Sequence, residues 1–299
     1  MLINGVPIVD TFAEAFSMRG TRLIVTADTP EWVSAAVTSM TGFATSVIGC
    51  GCEAAVEEIL PPERTPDGRP GASVLIFAMS RDEVAKHVAR RVGQCIMTSP
   101  GSACYAGLTE GRKIPLGNGL RYFGDGFQIA KKFGDRRFWR VPVMDGEFVC
   151  EDKVAVADAI GGGNFLIQAA SHRQCLRAAE AAVAAIRGMP GVIMPFPGGV
   201  VRSGSKVGSK YKALIASTNT AYCPTLRAVE PLTQLAENVE AVLEIVLDGL
   251  DEAAIRAAMR AGIAAAAALG PENGVLSITA GNYGGKLGKY HFHLHEVMS

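Results

Sequence analysis

Apolar and polar residues along the first half of the chain follow the pattern of two strand–helix–strand units. The apolar runs TRLIVTA (residues 21–27) and SVLIFAM (residues 73–79) are each followed by a helical pattern. The apolar runs at 44–50 and 94–99 are the predicted return strands. Ser80 begins the second helix as a side-chain cap, because a glutamate follows it three residues later, as in a capping box.

The second half of the chain repeats this order of elements. The run GNFLIQAAS (residues 163–171) leads through a helical pattern into GVIMPF (residues 191–196). The run VEAVLEIVLDG (residues 239–249) leads through another helical pattern into GVLSITAG (residues 274–281). Two such units per half are what the split βαβ arrangement, βαββαβ, requires. We therefore expect an α+β fold of two ferredoxin-like lobes, each an α/β sandwich with two helices on one face of an antiparallel sheet.

A hairpin pattern separates the two halves. Apolar and polar residues alternate over residues 136–153 around the turn formers Met144-Asp145-Gly146. We place the boundary near this turn, which predicts an N-terminal lobe of residues 1–147 and a C-terminal lobe of residues 148–299.

Composition narrows the class of protein. The 299 residues are 48% hydrophobic and 19% charged, and 29 basic residues balance 29 acidic ones, which disfavours nucleic acid as a partner. The N-terminus lacks the pattern of a secretory signal, and the apolar stretch at 261–270 is too short to span a bilayer. The seven cysteines are an odd number without repeated spacing. We expect a soluble cytoplasmic protein with reduced thiols and no membrane partner.

Two loops rich in glycine and lysine follow apolar runs in the second half. They are PFPGGVVRSGSKVGSKY at 195–211 and TAGNYGGKLGKY at 279–290. Glycines let backbone N–H groups approach a ligand closely, hydroxyls and amides donate hydrogen bonds, and lysines attract anions. The loops therefore predict a site for a large, partly anionic ligand, with two long surface hairpin loops as the alternative.

Glu244 interrupts the apolar run at 241–249. The two-residue period of a strand puts it on one face with Val242 and Val246. If that face is buried, the pKa of the carboxyl rises and the group can exchange protons near neutrality. The alternative is an exposed face on which Glu244 is merely solvated.

Other chemistry-bearing residues give weaker signals. His291, His293 and His295 alternate, so one strand would place all three on one face, but such a row rarely converges on a single ion and we predict no metal site. Cys223 precedes a proline at a turn and is a candidate nucleophile or a small buried side chain. Phosphate-loop, dinucleotide-binding, metalloprotease and hydrolase motifs are absent from the sequence.

Several long segments of the chain nevertheless have distinctive sequences. They resemble the formylmethanofuran–tetrahydromethanopterin formyltransferase family in both halves. The matching segments are NGVPIVDTFAEAF, PPERTPDGRPG, GGNFLIQA, PFPGGVVRSGSKVG, ASTN followed by CPT, EIVLDGLDE and TAGNYGGKLGKY.

The resemblance implies transfer of a formyl group between the amine of methanofuran and N5 of tetrahydromethanopterin, directly in a ternary complex. Both C1 carriers are then substrates, and no metal or tightly bound cofactor is expected. It also implies a homo-oligomer, a dimer or a homotetramer. Glu244 matches the family's carboxylate, so we expect it to be the catalytic residue. Substrate-binding candidates are Gly198, Gly199, Arg202, Ser203, Ser205, Lys206, Asn219, Asn282, Tyr283, Gly284, Gly285 and Lys286.

The arginine- and alanine-rich composition favours a methylotrophic bacterium as the source. In such bacteria the family takes formyl from the pterin to methanofuran in formaldehyde oxidation, as a subunit of a formyltransferase/hydrolase complex. One alternative is a non-catalytic carrier-binding subunit of that complex, because ferredoxin-like lobes often bind ligands without chemistry. Another is a formyl hydrolase that uses Cys223.

Overall fold

A computed structural model describes all residues of the chain, Met1–Ser299, and mixes helices with largely antiparallel strands, so the fold is α+β. The α-helices are α1 Pro30–Thr41, α2 Val47–Cys50, α3 Arg81–Arg91, α4 Gly117–Leu120, α5 His172–Ile186, α6 Glu252–Ala267 and α7 Leu294–Met298. The strands are β1 Leu2–Ile3, β2 Val6–Pro7, β3 Phe12–Thr26, β4 Glu53–Leu60, β5 Gly71–Ala78, β6 Ala103–Ala106, β7 Arg112–Pro115, β8 Ile129–Phe133, β9 Arg136–Val143, β10 Gly146–Glu151, β11 Lys153–Ala169, β12 Val192–Ile193, β13 Lys206–Val207, β14 Ala216–Ser217, β15 Ala241–Gly249, β16 Val275–Thr279 and β17 Tyr290–His293. None of the helices is long and apolar enough to cross a membrane.

The four helical patterns correspond to α1, α3, α5 and α6, and the hairpin pattern corresponds to β9 and β10. Both return strands predicted in the first half are wrong. Ser46 caps a short helix within residues 44–50, so the strand begins only at Glu53. Helix α3 continues into a π-helical turn over Val92–Ile96, and the next strand begins at Ala103.

The chain divides into two compact units. Unit 1 comprises Met1–Ser17, Ile160–Arg187 and Phe196–Ser299, and unit 2 comprises Met18–Ala159 and Gly188–Pro195. The lobe boundary between residues 147 and 148 stays a prediction.

Unit 2 contains an antiparallel sheet in the order β4-β5-β3-β6. Its core joins apolar side chains of the sheet to those of α1 and α3, including Leu23, Ile76, Val37 and Val88.

A partly buried ion pair between Arg22 and Glu57 stabilises this sheet. Glu57 receives two hydrogen bonds from Arg22 at 2.7 and 2.5 Å, one from Ser73 at 2.6 Å and one from the N–H of Gly191 at 2.6 Å. Burial acts to raise the pKa of Glu57, but these donors outweigh it and lower the pKa. Glu57 therefore fixes the segment Gly188–Pro195 to the sheet as an ionised carboxylate.

In unit 1, β11 lies between β15 and β16 and is antiparallel to both. Helices α5 and α6 cover one face of this sheet. The thiol of Cys175 in α5 donates to the carbonyl of Ile167, and Phe165 lies against Gly262 of α6. Residues 165 and 167 are alternate positions of β11, so this helical face carries the apolar core of unit 1.

We expect Gly262→Ala to lower the free energy of unfolding. An added Cβ would lie 2.7 Å from Phe165 and from Ile186 of α5, too close for van der Waals contact. Such overpacking costs about 1–3 kcal/mol, which exceeds the gain of about 1 kcal/mol from the better helix propensity of alanine. Urea denaturation measures the difference. Gly49→Ala is the control, because its Cβ would meet nothing within 4 Å in helix α2; equal effects of the two changes would contradict this account.

Candidate active site

The other face of the unit 1 sheet carries a row of paired residues. Leu166 of β11 lies opposite Glu244 of β15 on one side and Thr279 of β16 on the other. Val201 forms an isolated bridge to Glu244, with backbone N–O distances of 2.8 and 3.0 Å. Directly paired residues share a face, so these four side chains lie on the face opposite the helices.

Polar side chains of β11 attach loops to this face. Gln168 donates to the carbonyl of Gln234 at 3.1 Å and accepts from the N–H of Ala236 at 2.8 Å. Asn164 accepts from the N–H of Gly281 at 2.6 Å and donates to the same residue's carbonyl at 3.1 Å. The segments between β12 and β15 and between β16 and β17, which contain the two glycine-rich loops, are thereby tied at Gln234, Ala236 and Gly281 to the sheet face that contains Glu244.

The carboxyl group of Glu244 has no hydrogen-bond or ion-pair partner in the structure. Part of the residue is accessible to solvent, yet its carboxyl is densely surrounded by protein, and this burial raises its pKa to about 7. Val242 and Val246 are also partly exposed, while Leu243, Ile245 and Leu247 are buried. Glu244 therefore sits in a recess of the loop-covered face, where its carboxyl can gain or lose a proton near neutral pH.

Two phenols lie near this carboxyl. Burial raises the pKa of Tyr222, and the negative charge of Glu244 adds to the increase. The pKa of Tyr283 is raised in the same way, although a hydrogen bond with Ser205 opposes the shift. Both hydroxyls are therefore protonated near neutral pH. That of Tyr222 already donates to Oε1 of Gln234 at 2.5 Å, whereas that of Tyr283 can donate a hydrogen bond beside Glu244.

Several predicted binding residues have free polar groups. The exposed side chains of Arg202, Ser203 and Lys286 and the half-buried amide of Asn219 have no hydrogen-bond or ion-pair partner. Gly198 and Gly199 have φ angles of 64° and 85°, which favour glycine. These residues remain available to a ligand.

Other predicted binding residues are already occupied within the protein. Asn282 donates to the hydroxyl of Thr11 and the carbonyl of Phe12, both at 3.2 Å, and Lys206 donates to Thr220 at 2.9 Å.

Glu14 of β3 binds the second glycine-rich loop, and sequence reasoning missed it. It accepts the backbone N–H groups of Tyr283, Gly285, Leu287 and Gly288, and Gly284 donates to Asn282. The N–H groups of Gly284 and Gly285 are therefore not free for a ligand. Glu14, Asn164 and Gln168 share one sequence signal, a polar residue within a segment of otherwise apolar or small residues.

The expected row of three histidines on one strand is wrong. Strand β17 ends at His293, and His295 lies in helix α7, where its Nε2 is 2.9 Å from both the N-terminal amine and the carbonyl of Ile8. No group of three or more His, Cys, Asp or Glu side chains is arranged to hold a metal ion. The thiol of Cys223 hydrogen-bonds to the carbonyl of Asn219 and lies 3.4 Å from the hydroxyl of Thr218, and no histidine is among its partners.

A carboxyl that titrates near neutrality, surrounded by neutral donors and with cations at the rim, is equipped for proton transfer during group transfer. Such an arrangement is typical of enzymes that transfer a group with the help of acid–base chemistry.

Comparison with known proteins narrows this class to a family. Residues 1–143 match the family described as "Formylmethanofuran-tetrahydromethanopterin formyltransferase", and residues 146–297 match the family described as "FTR, proximal lobe". The chain belongs to the formylmethanofuran–tetrahydromethanopterin formyltransferase family.

Relatives match the chain over its whole length. The formyltransferase of Methylococcus capsulatus is 61% identical over 299 residues, 100% of both chains. A chain in the crystal structure of the formyltransferase/hydrolase complex from Methylorubrum extorquens, in complex with methylofuran, is 51% identical with a TM-score of 0.97, covering 100% of this chain and 99% of that one. The formyltransferase structure from Methanosarcina barkeri is 46% identical with a TM-score of 0.94, covering 99% and 100%.

The raised pKa of Glu244 predicts a pH-dependent stability difference from Glu244→Gln. The wild-type carboxyl stabilises the fold fully below its unfolded pKa of 4.5, and this contribution is lost as the pH rises through the folded value of about 7. Relative to wild type, Glu244→Gln should therefore gain about 2 kcal/mol in free energy of unfolding between pH 5 and pH 8. Urea denaturation at both pH values measures this gain. The exposed Glu240→Gln should show no such gain, and a constant difference for Glu244→Gln would refute the buried titration.

Proposed function

We propose that the sheet face around Glu244 is where this chain transfers a formyl group between its two C1 carriers. The chain is a formyltransferase, and methanofuran and tetrahydromethanopterin are its substrates. The observation that carries the proposed location is the unpartnered carboxyl of Glu244, whose pKa burial raises to about 7.

The reaction needs a group that handles protons. The amine of one carrier attacks the formyl carbon, a new C–N bond forms, and the carbonyl oxygen becomes an oxyanion. Collapse of this intermediate breaks the old C–N bond, and the departing nitrogen takes up a proton. A protonated Glu244 can supply that proton or hydrogen-bond the oxyanion, and as a carboxylate it can accept the proton of the attacking amine.

Neutral donors of the covering loops can support the oxyanion. The side-chain amide of Asn219 has no partner within the protein, and the hydroxyl of Tyr283 is protonated near neutrality. Donors fixed before the reaction stabilise developing charge without having to reorganise. We therefore assign oxyanion binding to these side chains and not to the backbone of the second glycine-rich loop.

The basic rim suits anionic parts of the carriers. Arg202 and Lys286 are exposed and unpaired, and Lys206 follows Arg202 closely in sequence with a single hydroxyl partner. Arginine binds carboxylates through two parallel hydrogen bonds, and lysine attracts them as a point charge. Arg202 and Lys206, with Ser203, Ser205, Gly198 and Gly199, form our proposed carrier-binding segment in the first loop.

We propose that the chain works in the direction from the pterin to methanofuran, as part of a larger assembly. Its identity is 61% to the Methylococcus protein and 51% to the chain from the Methylorubrum complex, against 46% to the Methanosarcina protein. The Methylorubrum relative is named as one of the subunits of a formyltransferase/hydrolase complex. This similarity supports a methylotroph-type member that associates with other subunits and with copies of itself.

We also propose that each lobe is ferredoxin-like. The sheet order β4-β5-β3-β6, with α1 and α3 in the connections, is the order expected of a βαββαβ lobe. The central position of β11 between β15 and β16, with α5 and α6 on one face, supports the same arrangement in the C-terminal half.

Formyl transfer by Glu244→Gln tests the catalytic assignment. Glutamine keeps the shape of the side chain but cannot titrate, so kcat should fall by 10²-fold or more with little change in KM, which is about the contribution of general acid–base catalysis. Transfer from formyl-tetrahydromethanopterin to methanofuran is followed with the purified chain. Glu240→Gln, an exposed carboxylate four residues away, should keep wild-type rates.

Other outcomes of this assay point to different functions. A Glu244→Gln protein as fast as wild type would make Glu244 structural. An inactive wild-type chain would favour the non-catalytic carrier-binding subunit. Cys223→Ala removes the thiol that a formyl hydrolase would need, and we expect it to retain transfer activity.

Arg202→Gln should weaken carrier binding without changing the chemistry. Loss of one charge-assisted hydrogen bond at the rim costs about 1.4 kcal/mol, so KM for one carrier should rise about tenfold while kcat is kept. The defect should shrink at high salt, because salt also weakens the wild-type contact. Steady-state kinetics at two ionic strengths measure both effects, with Arg173→Gln on the exposed surface of α5 as the control. An unchanged KM for both carriers would remove Arg202 from the binding site.

A further inference from the structure

Glu14 of β3 is a buried carboxylate surrounded by backbone donors, with 1% of its surface exposed. Its Oε1 accepts the N–H groups of Leu287 at 2.7 Å and Gly288 at 2.6 Å. Its Oε2 accepts those of Tyr283 at 2.6 Å and Gly285 at 2.8 Å. Hydrogen bonds to an ionised group are about twice as strong as neutral ones, so four of them hold this loop firmly.

The sequence of the loop fits this wrapping. Gly284 and Gly285 have φ angles of 75° and 70°, which let consecutive N–H groups converge on one anion. A Cβ at Gly288 would lie 2.5 Å from the carbonyl oxygen of Ala15 and 2.7 Å from Cγ of Glu14, so only glycine allows this approach. The motif GGKLG therefore encodes a binding site for the protein's own carboxylate.

Tyr283 links this loop to the reacting face. Its N–H donates to Glu14, its ring lies 6.0 Å from that of Phe16, and its hydroxyl hydrogen-bonds with Ser205 of the first glycine-rich loop. It is also near enough to Glu244 to respond to its charge. The position of this phenol beside Glu244 thus depends on the path of residues 283–288.

We propose that Glu14 is a positioning residue for formyl transfer, whose carboxylate serves as the template on which residues 283–288 fold and so fixes Tyr283 beside Glu244. The inference rests on the proposed function of the Glu244 face. Glu14 does not touch a carrier; it acts through the loop.

The titratable side chains that face Glu14 come from β17 and from the loop. Strand β17 contributes His291, directly opposite Glu14, and His293, and the loop contributes Tyr283, Lys286 and Lys289. None of them forms an ion pair with Glu14. Burial acts to raise the pKa of Glu14, but the four N–H donors outweigh it and lower the pKa below 4.5. The stabilisation is therefore complete above pH 4.5 and is lost as the pH falls through the lowered folded pKa.

Glu14→Gln tests the template. The amide replaces one acceptor oxygen by an NH₂ group that faces two N–H donors, so the loop cannot keep its path. We expect faster hydrogen–deuterium exchange at residues 283–288 only, with α5 and α6 unchanged. We also expect kcat/KM to fall by about 10- to 100-fold, the scale of a misplacement of about 1 Å near a reacting centre. Glu180→Gln, an exposed carboxylate on α5, should change neither measurement.

The exchange measurement needs no substrate, so it tests the loop template separately from the positioning role in catalysis. Unchanged exchange in the loop would overturn the template, and faster exchange with full activity would overturn the positioning role. Exchange that rises throughout the chain would indicate global destabilisation and also count against the proposal. In wild type the protection of these amides should fall below pH 4.5 but stay constant in Glu14→Gln. A wild-type chain without formyl transfer would refute the proposed function itself, whatever the exchange shows.

Discussion

The two-residue alternation of β11 is the constraint on which unit 1 depends. Its apolar side chains, such as Phe165 and Ile167, face the helices and form the core, and its polar ones, Asn164 and Gln168, face the loops. A shift of one residue in register would exchange the two faces. Burial of the apolar side chains against the helices sets the register of β11. The same register determines where its polar side chains hold the loops on the other face.

The fixed sheet of unit 1 can hold an energetically unfavourable group, the carboxyl of Glu244. A carboxyl group without a hydrogen-bond partner in a dense environment opposes folding above its unfolded pKa, and the protein tolerates it because the surrounding sheet is held by many other interactions. The contrast with Glu14 and Glu57 is informative. Each of those carboxylates is buried too, but four hydrogen bonds keep its pKa low. The pKa values of the three carboxyl groups are thus shifted in opposite directions, and the number of hydrogen-bond donors around each decides whether its pKa is raised or lowered.

Much of this arrangement could be predicted from the sequence. Periodicity located α1, α3, α5 and α6, because their apolar stripes are long enough to outweigh local irregularities. It failed at residues 44–50 and 94–99, where Ser46 starts a short helix and α3 runs on into a π-helical turn. In such short segments local hydrogen bonds decide the backbone conformation, and these bonds cannot be read from the pattern of apolar residues.

The candidate site shows a similar limit. Alternation placed Glu244 on one face with Val242 and Val246, and only the packed structure distinguishes an exposed face from a recess. The glycines of the second loop indicated converging N–H groups, but the anion they bind in the structure is Glu14, which is 274 residues away from Gly288 along the chain. No local pattern can connect two such positions.

That separation has a consequence for how the protein is made. The loop cannot take its final path until the first long strand and residues 283–288 have met, so this part of the site is among the contacts of highest sequence separation. During synthesis from the N-terminus, Glu14 leaves the ribosome long before its four donors exist. The nascent chain thus holds this carboxylate without its donors until residues 283–288 have been synthesised, and this part of the site can form only after that.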